Sequence, residues 1–215
     1  MITYSSTVDT PVGPFTIVAT DEAVLASGWT GDVRELLSLV RPLPEPQPRA
    51  DLGPITKAAL AYHDGDLAAI DEIPVDLRTG GWRLDRGGAK RRRGKTSPDE
   101  PVRRASAGER QLAEPVRHAS VGERQLAQPF LSAAWQALRA IPPGEPISYT
   151  ELAARAGRPA AVRAAAQACA RNPCALFVPC HRVVRADGSL GGYRWGLPVK
   201  RWLLRWESSP SLVPR

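Results

Sequence analysis

A basic segment near the middle of the chain separates two regions of opposite charge and limits each folded unit to a small domain. Residues 82–128 hold 12 Lys and Arg against 6 Asp and Glu, and their first part is rich in Gly with almost no apolar side chains. Residues 1–81 hold 5 against 12, and residues 129–215 hold 12 against 4. The sequence therefore predicts an N-terminal domain at 1–81, an insertion at 82–128 and a C-terminal domain at 129–215.

The insertion contains a tandem duplication. The unit EPVRRASAGERQLA (100–113) is followed by EPVRHASVGERQLA (114–127), and the two are identical at 12 positions. Two short units cannot build a solenoid. Pro and Gly in each unit limit a helix to about two turns, which is too short to be stable alone. We predict that the insertion is mostly disordered.

The N-terminal region has the pattern of a small α/β domain. Strand-like runs at 15–20 and 23–29 are separated by Asp21 and Glu22, which predicts an antiparallel hairpin. Helical spacing follows at 32–40, and a second helix is expected from Pro54 to Gly65. The run at 73–78 predicts a closing strand, so we expect a small antiparallel sheet plus helices.

The C-terminal region predicts a mostly α domain. An amphipathic helix is expected at 130–141, with its apolar stripe at Leu131, Trp135, Leu138 and Ile141. Ser148 and Glu151 then have the spacing of a capping box, which marks a helix start. This helix stops at Gly157, and a second helix begins at Pro159, so the pair predicts a helix-turn-helix.

The second helix of that pair has two different faces. Helical periodicity places Val162, Ala165, Ala166 and Cys169 on one face. Arg163, Gln167 and Arg171 lie on the opposite face. Small side chains would allow the helix backbone to approach a narrow groove. A plain buried Ala-rich helix is the alternative.

The charge and composition restrict the partners and the compartment. The basic C-terminal half indicates a polyanionic partner, with nucleic acid as the first candidate and a merely solvated basic surface as the alternative. The sequence has no run of 18 apolar residues and its N-terminus lacks the pattern of a secretory signal, so we expect neither a membrane span nor secretion. Cys169, Cys174 and Cys180 lie within twelve residues, which favours a reducing, cytoplasmic setting over a disulfide framework.

The stretch FVPCHRVV (177–184) places Cys180 and His181 side by side. A free thiol has a pKa of about 8.5, so a cysteine nucleophile needs a base. If this stretch is a strand, the two side chains point to opposite faces, and a bridging water is then required. A buried small residue beside a partly exposed ring is the alternative. The cysteine spacing matches no standard zinc site, so we expect no metal and no cofactor; His63 and His118 are predicted to lie on the surface.

The motifs PCHR (179–182) and GGYRWG (191–196) resemble those of the O6-alkylguanine-DNA alkyltransferase family. The resemblance is strongest to the bacterial type found in the C-terminal part of the adaptive-response protein. It is close over 129–207 and loose over 1–81, and 82–128 has no counterpart. It implies a ribonuclease-H-like N-terminal domain and a monomer that is cytoplasmic and associated with the nucleoid when bound to DNA.

The same resemblance implies a reaction, that of a methylated-DNA–protein-cysteine methyltransferase. The alkyl group of O6-alkylguanine, or of O4-alkylthymine, in double-stranded DNA is transferred irreversibly to the cysteine after the nucleotide is flipped out. Each molecule reacts once, because a thioether has no easy leaving group. No cofactor takes part.

The resemblance also assigns roles to individual residues. The catalytic residues it implies are Cys180 as alkyl acceptor, His181 as base through a water, Glu207 as the group that orients the histidine, Tyr149 and Lys200. The implied substrate-binding residues are Asn172, Tyr193, Arg194, Trp195, Gly196 and Pro179. The implied DNA-binding residues are Arg163, which fills the space left by the flipped nucleotide, Tyr149, Ala164, Gln167 and Arg171.

Two other functions remain open at this point. A non-reacting protein could bind DNA lesions on the same scaffold, although relatives of that kind replace the cysteine that this chain retains at Cys180. A cysteine hydrolase is the second alternative, but such enzymes bring Cys and His together from distant segments, and a DNA-facing helix pair would be superfluous.

Overall fold

The computed structural model of the chain describes residues 1–40, 42–78 and 121–209, with side chains from Phe130 onward in the last range. His118 and most of the duplicated segment lie outside the described residues. Within the described ranges, no helix is both long and apolar enough to cross a membrane.

A four-stranded sheet forms the centre of the N-terminal region. Its strands are β1 (Tyr4–Thr10), β2 (Gly13–Ala19), β3 (Val24–Gly28) and β4 (Gln47–Pro48), in the order β3-β2-β1-β4. β2 pairs antiparallel with both β1 and β3, which confirms the predicted hairpin. β4 joins the edge parallel to β1, so the sheet is mixed and the prediction of a purely antiparallel sheet was wrong.

The predicted strand at 73–78 is also absent. Val75 forms only an isolated parallel bridge with Val24. The Val24 N–H donates to Pro74 O at 2.9 Å and the Asp76 N–H donates to Val24 O at 2.9 Å. The Asp76 side chain then accepts a hydrogen bond from the Arg78 N–H, which turns the chain away from the sheet.

Two helices accompany this sheet. α1 (Val33–Leu37) is capped by Asp32, whose carboxylate accepts from the Arg34 N–H at 2.9 Å, and it is shorter than predicted. α2 (Pro54–Asp64) begins with its proline and ends at Gly65, whose φ of 111° is the left-handed conformation that favours glycine. Ile55, Ala59 and Tyr62 are buried on its inner face.

The C-terminal region is built from short elements around one long helix. They are α3 (Val121–Arg139), β5 (Ile147–Ser148), α4 (Tyr149–Arg155), α5 (Val162–Ala170), a 3-10 helix (Cys180–Arg182), β6 (Val183–Val184) and α6 (Leu197–Ser208). The four predicted stripe residues of α3, Leu131, Trp135, Leu138 and Ile141, are all buried. α3 begins at Val121, ahead of the boundary expected at 129, so the end of the second repeat is helical.

The α4–α5 pair agrees with the sequence at one end and differs at the other. Ser148 Oγ accepts a hydrogen bond from the Glu151 N–H at 3.1 Å, so α4 starts as predicted. α5 begins at Val162, not at Pro159, which lies in a turn. Ala165 and Ala168 are the buried residues of α5. Ala166 is exposed and lines the cleft together with Cys169.

The two regions are joined through backbone and side-chain hydrogen bonds. The Ser27 N–H donates to Pro173 O at 2.8 Å, and the Ala175 N–H donates back to Ser27 O at 3.1 Å. Ser27 Oγ donates to Ala175 O at 2.8 Å. The end of β3 is therefore fixed against residues 173–175, which lie directly ahead of the Cys180 turn.

Candidate active site

A cleft of about 490 Å³ opens between α5, the start of α4 and the loop before α6. Its lining residues are Tyr149, Ala166, Cys169, Ala170, Asn172, Cys180, Gly192, Tyr193, Arg194 and Trp195. Six of these were predicted as site residues, namely Tyr149, Asn172, Cys180, Tyr193, Arg194 and Trp195. The cleft therefore has one thiol of the predicted motif in its wall and aromatic side chains around it.

Cys180 stands at the start of the 3-10 helix and is held by Asn172. Asn172 Nδ2 donates to Val178 O at 2.7 Å and lies 3.1 Å from Cys180 Sγ. Asn172 Oδ1 accepts from the Cys174 N–H at 3.0 Å. Burial raises the pKa of the Cys180 thiol, while the Asn172 hydrogen bond and Lys200 act to lower it. The resting thiol is therefore protonated at neutral pH, beside a donor that can stabilise a thiolate.

The 3-10 geometry corrects one expectation from the sequence. Cys180 and His181 lie in a helical turn, not on a strand, so the strict alternation of strand side chains does not apply to them. Pro179 precedes this turn, and its carbonyl accepts from the Arg182 N–H at 3.0 Å. The turn directs the Cys180 side chain into the cleft and buries His181 completely.

His181 belongs to a buried network centred on Glu207. Glu207 Oε1 lies 2.9 Å from His181 Nε2 and accepts from Tyr62 OH at 2.7 Å. Arg182 donates to the same carboxylate from Nε at 3.0 Å and from Nη2 at 2.8 Å. The carboxylate thus holds a histidine, an arginine and a tyrosine that comes from α2 in the other region of the chain.

The charge state of this network sets the histidine tautomer. Burial alone would raise the pKa of Glu207, but His181 and Arg182 together lower it below its ordinary value, so the carboxylate is ionised. Burial lowers the pKa of His181, which is therefore neutral at pH 7 in spite of Glu207. The ionised carboxylate accepts a hydrogen bond from Nε2–H, so the proton of the neutral imidazole is on Nε2 and Nδ1 keeps its lone pair. Nδ1 is buried and has no hydrogen-bond partner among the described residues.

Two tyrosines that line the cleft keep their hydroxyls protonated. Burial raises the pKa of Tyr149 to about 12. Burial also raises the pKa of Tyr193, whose OH has no hydrogen-bond partner in the described part of the chain. Both phenols can therefore donate a hydrogen bond to an anion at neutral pH.

Lys200 lies behind the cleft and does not line it. Its side chain is fully buried, and Nζ donates to Val183 O at 2.6 Å, one residue after the 3-10 helix. Burial lowers the pKa of this ammonium. Gly196, with φ of 95°, forms the N-cap of α6 and links Lys200 to the cleft loop.

Four of the five residues predicted to bind DNA lie along α5 or at its end, and the fifth, Tyr149, begins α4 and lines the cleft. Arg163 and Gln167 are exposed, Ala164 is half-buried, and Arg171 stands at the end of the helix. Arg194 Nη2 donates to Ala170 O at 2.7 Å, which ties the cleft loop to the same end of α5.

Sequence reasoning missed the residues whose partners are far away along the chain. Arg182 was part of the quoted motif, but nothing predicted its pairing with Glu207. Tyr62 lies 145 residues from Glu207, so no local pattern could connect them. His63 was predicted to lie on the surface, and this was wrong: it is buried, stacked with Trp29 at 6.4 Å and close to Trp202 at 5.7 Å.

Fold and site together define a class of protein: a small mixed sheet packed on a helical domain, with a cysteine-lined cleft supported by a buried histidine–carboxylate pair. Residues 129–209 match the family described as 6-O-methylguanine DNA methyltransferase, DNA binding domain. This match confirms the resemblance that the PCHR and GGYRWG motifs indicate.

Individual relatives agree with this assignment. The chain is 58% identical over 79 residues to the bifunctional transcriptional activator/DNA repair enzyme Ada of Escherichia coli, a match that covers 37% of this chain and 22% of that protein. It is 52% identical over 78 residues to a methylated-DNA–protein-cysteine methyltransferase of Salmonella typhimurium, covering 36% of this chain and 46% of that protein. The matched part thus spans less than half the length of each of these curated relatives.

A solved structure extends the likeness to both regions. The crystal structure of Mycobacterium tuberculosis OGT in complex with DNA aligns with a TM-score of 0.61 and 25% identity, over 96% of this chain and 93% of that one. The N-terminal sheet and the C-terminal helices are therefore arranged as in a protein that has been crystallised with DNA.

Proposed function

We propose that this chain repairs DNA by transferring the alkyl group of O6-alkylguanine, and of O4-alkylthymine, irreversibly to Cys180. It would then act as a methylated-DNA–protein-cysteine methyltransferase. The observation that carries the proposal is a cleft-facing Cys180 thiol 3.1 Å from Asn172 Nδ2, next to the buried His181–Glu207 pair. The curated relatives that carry this name support it over the C-terminal region.

The first step is activation of the thiol. Cys180 is protonated at rest because burial raises its pKa. His181 Nδ1 is the free acceptor, and it takes the proton through a water, as the family resemblance implies. Glu207 stabilises the imidazolium that forms. Asn172 and the nearby Lys200 stabilise the thiolate.

The second step is the transfer itself. The sulfur attacks the alkyl carbon, a new S–C bond forms, the C–O6 bond breaks, and its electron pair passes to the guanine ring. The guanine anion needs hydrogen-bond donors, and the protonated phenol of Tyr149 is one such donor in the cleft. The product is a thioether on Cys180, so each molecule reacts once.

The target atom is inside a base pair, so the nucleotide has to leave the duplex, at a cost of a few kcal/mol. We propose that α4 and α5 act as a helix-turn-helix, with the small residues of α5 against the groove and Arg163 in the space left by the flipped nucleotide. Gln167, Ala164 and Arg171 would contact the DNA along the same helix. The complex of M. tuberculosis OGT with DNA supports this partner.

We assign residues 1–81 to a ribonuclease-H-like domain, 82–128 to an insertion whose end contributes the start of α3, and 129–215 to the DNA-binding and alkyl-acceptor domain. The protein would act as a monomer in the cytoplasm and associate with the nucleoid when bound to DNA. The loop residues Tyr193 to Gly196, with Pro179, would surround the flipped base.

The test is mass spectrometry after incubation with duplex DNA that contains one O6-methylguanine. We expect one added methyl group per protein, on the peptide that carries Cys180, and no further turnover. Cys180→Ser should bind the DNA and transfer nothing. Cys174→Ser is the matched control, because Cys174 is fully buried, its thiol donates to Leu25 O, and it does not line the cleft.

Two results would contradict the proposal. Methylation of Cys169, the other thiol in the cleft wall, would show that Cys169 and not Cys180 is the nucleophile. Binding of the methylated duplex without any transfer would favour the non-reacting lesion-binding protein.

A further inference from the structure

The loop that closes the cleft rests on the end of β3, in the other region of the chain. Trp195 lines the cleft and also packs against both apolar clusters of the protein, including the one formed by Val18, Ala26, Leu36 and Val40 behind the sheet. Its indole therefore has the cleft on one side and the N-terminal sheet on the other.

Gly28 is the residue of β3 that the indole covers. A Cβ atom at Gly28 would overlap with Cζ2 and Cε2 of Trp195 and would lie only 2.5 Å from Cη2. Gly28 does not have a positive φ, so its backbone suits any residue. The glycine is therefore required by the close approach of the indole and not by the backbone conformation.

The strand cannot move aside to admit a larger side chain. Gly28 pairs with Thr16 of β2, and its neighbour Ser27 exchanges two backbone hydrogen bonds with residues 173–175. Those residues are in turn tied to Asn172, whose Oδ1 accepts from the Cys174 N–H. Gly28 thus has a fixed position relative to the Cys180 turn, so any overlap has to be relieved by movement of Trp195.

The next residue of the chain supports the other aromatic residue of the same loop. Trp29 and Tyr193 have their ring centroids 6.4 Å apart. Gly28 thus contacts Trp195, and Trp29 contacts Tyr193. Two consecutive positions of the N-terminal region therefore support two of the side chains that form the cleft wall.

We propose that Gly28 is a positioning residue that sets the location of Trp195, and thereby the size of the alkyl group that the cleft accepts. This inference rests on the proposed function for its substrate. The N-terminal region then determines specificity although, among the described residues, it contributes no side chain to the cleft lining.

The experiment compares wild type, Gly28→Ala, Trp195→Ala and the double variant. Each is reacted with duplexes that are identical except for O6-methylguanine or O6-propylguanine, and the rate of mass gain is measured. Gly31→Ala is the matched control, because a Cβ there meets only Pro14 Cγ, at 4.0 Å. The position of Trp195 is followed separately by fluorine NMR on protein labelled with fluorotryptophan, with its resonance assigned from the Trp195→Ala variant.

We expect Gly28→Ala to change the ratio of the propyl to the methyl rate by about tenfold or more, the scale on which a pocket discriminates small apolar groups. Gly31→Ala should leave it unchanged. In the Trp195→Ala background, Gly28→Ala should alter either rate by no more than about twofold, because the overlapping group is gone. If Gly28→Ala alone does not fold, the transfer rates of Trp195→Ala and of the double variant are compared instead. A double variant that folds and reacts like Trp195→Ala supports the inference, and one that does not fold overturns it.

Equal losses on both duplexes, or an effect of Gly28→Ala that persists without the indole, would overturn the inference. So would an unshifted Trp195 fluorine resonance in Gly28→Ala. If wild type transfers neither group, the proposed function fails instead, and the fluorine resonance still reports whether Gly28 positions the indole.

Discussion

Tyr62 OH donates a hydrogen bond of 2.7 Å to Glu207 Oε1, and this bond joins α2 of the N-terminal region to the carboxylate that holds His181. Trp206 Nε1 donates to Tyr62 O at 2.9 Å, so two hydrogen bonds link α2 to α6. Both side chains are buried. The N-terminal region therefore supports the proposed proton acceptor directly, and not only the outer shape of the cleft.

Tyr62→Phe should lower the free energy of unfolding by about 2 kcal/mol, the usual cost of losing a buried hydrogen bond to a charged group. The ring and its packing are kept, so the fold should survive. Chemical denaturation measures the loss. Transfer to Cys180 should continue at a reduced rate, because Glu207 keeps its contacts with His181 and Arg182.

Glu207→Gln provides the control for that interpretation. It leaves the buried Arg182 guanidinium without its counter-charge and should cost about 3–5 kcal/mol. In this background Tyr62→Phe should cost less than in wild type, because the charged acceptor is already gone. Strictly additive losses would show that Tyr62 stabilises the protein through packing and not through Glu207.

Asn172→Ala should act on stability and on chemistry together. It removes the partner of the buried Cys174 N–H and one of the two donors to Val178 O, which keeps its hydrogen bond from the Cys180 N–H, at a cost of about 2 kcal/mol. It also removes the hydrogen bond that lowers the pKa of Cys180 against the effect of burial, so the pH–rate profile of transfer should move to higher pH. Ser27→Ala is the matched control: it deletes the buried hydrogen bond to Ala175 O and does not touch Cys180, so an equal shift there would contradict the assignment.

His63 should make the protein labile to acid. Burial lowers its pKa from the ordinary value of about 6.5 to about 4, so the unfolded chain binds a proton between these pH values that the folded chain does not. Stability from this group is then complete above about pH 6.5 and falls as the pH approaches 4, by about 3 kcal/mol. His63→Phe keeps an aromatic ring beside Trp29 and should flatten this part of the stability–pH curve. If wild type and His63→Phe have the same slope between these pH values, the folded protein protonates His63 in its buried position and the predicted acid lability is wrong.

The sequence predicted those elements whose causes are local. The hairpin of β2 and β3, the cap at Ser148 and the buried stripe of α3 all depend on residues a few positions apart, and each was confirmed. The burial of His63, the Tyr62–Glu207 hydrogen bond and the contact of Gly28 with Trp195 depend on packing between the two regions of the chain. Partners more than a hundred residues apart leave no periodic pattern, so these features had to come from the structure.

Arg163→Ala should separate DNA handling from chemistry. Arg163 is exposed near the start of α5 and does not line the cleft. Its loss should slow transfer from O6-methylguanine in duplex DNA by about tenfold or more, because it is proposed to offset the cost of flipping, but should leave the reaction with the free base nearly unchanged. Arg201→Ala, which removes an exposed positive charge from α6, is the matched control. Equal losses on both substrates would place Arg163 in the fold or in the chemistry instead.

The last prediction concerns the insertion, whose five clustered cations are Lys90, Arg91, Arg92, Arg93 and Lys95. These residues lie outside the described ones, so the prediction rests on charge alone. Replacing all five with Gln should weaken DNA binding and flatten its dependence on salt, because each phosphate that is no longer neutralised lowers the slope of log affinity against log salt by about 0.9.

Deleting residues 100–113 is the control for the five-residue replacement. That unit is nearly balanced in charge, with 3 Arg against 2 Glu, and α3 begins only after it, at Val121. Its loss should leave both the salt slope and the free-base reaction intact, since changes in loop length cost little free energy. If the Gln replacements leave the salt slope unchanged, the insertion does not contribute to DNA binding. A collapse of the free-base reaction in either variant would instead mean that the insertion packs against the folded domains.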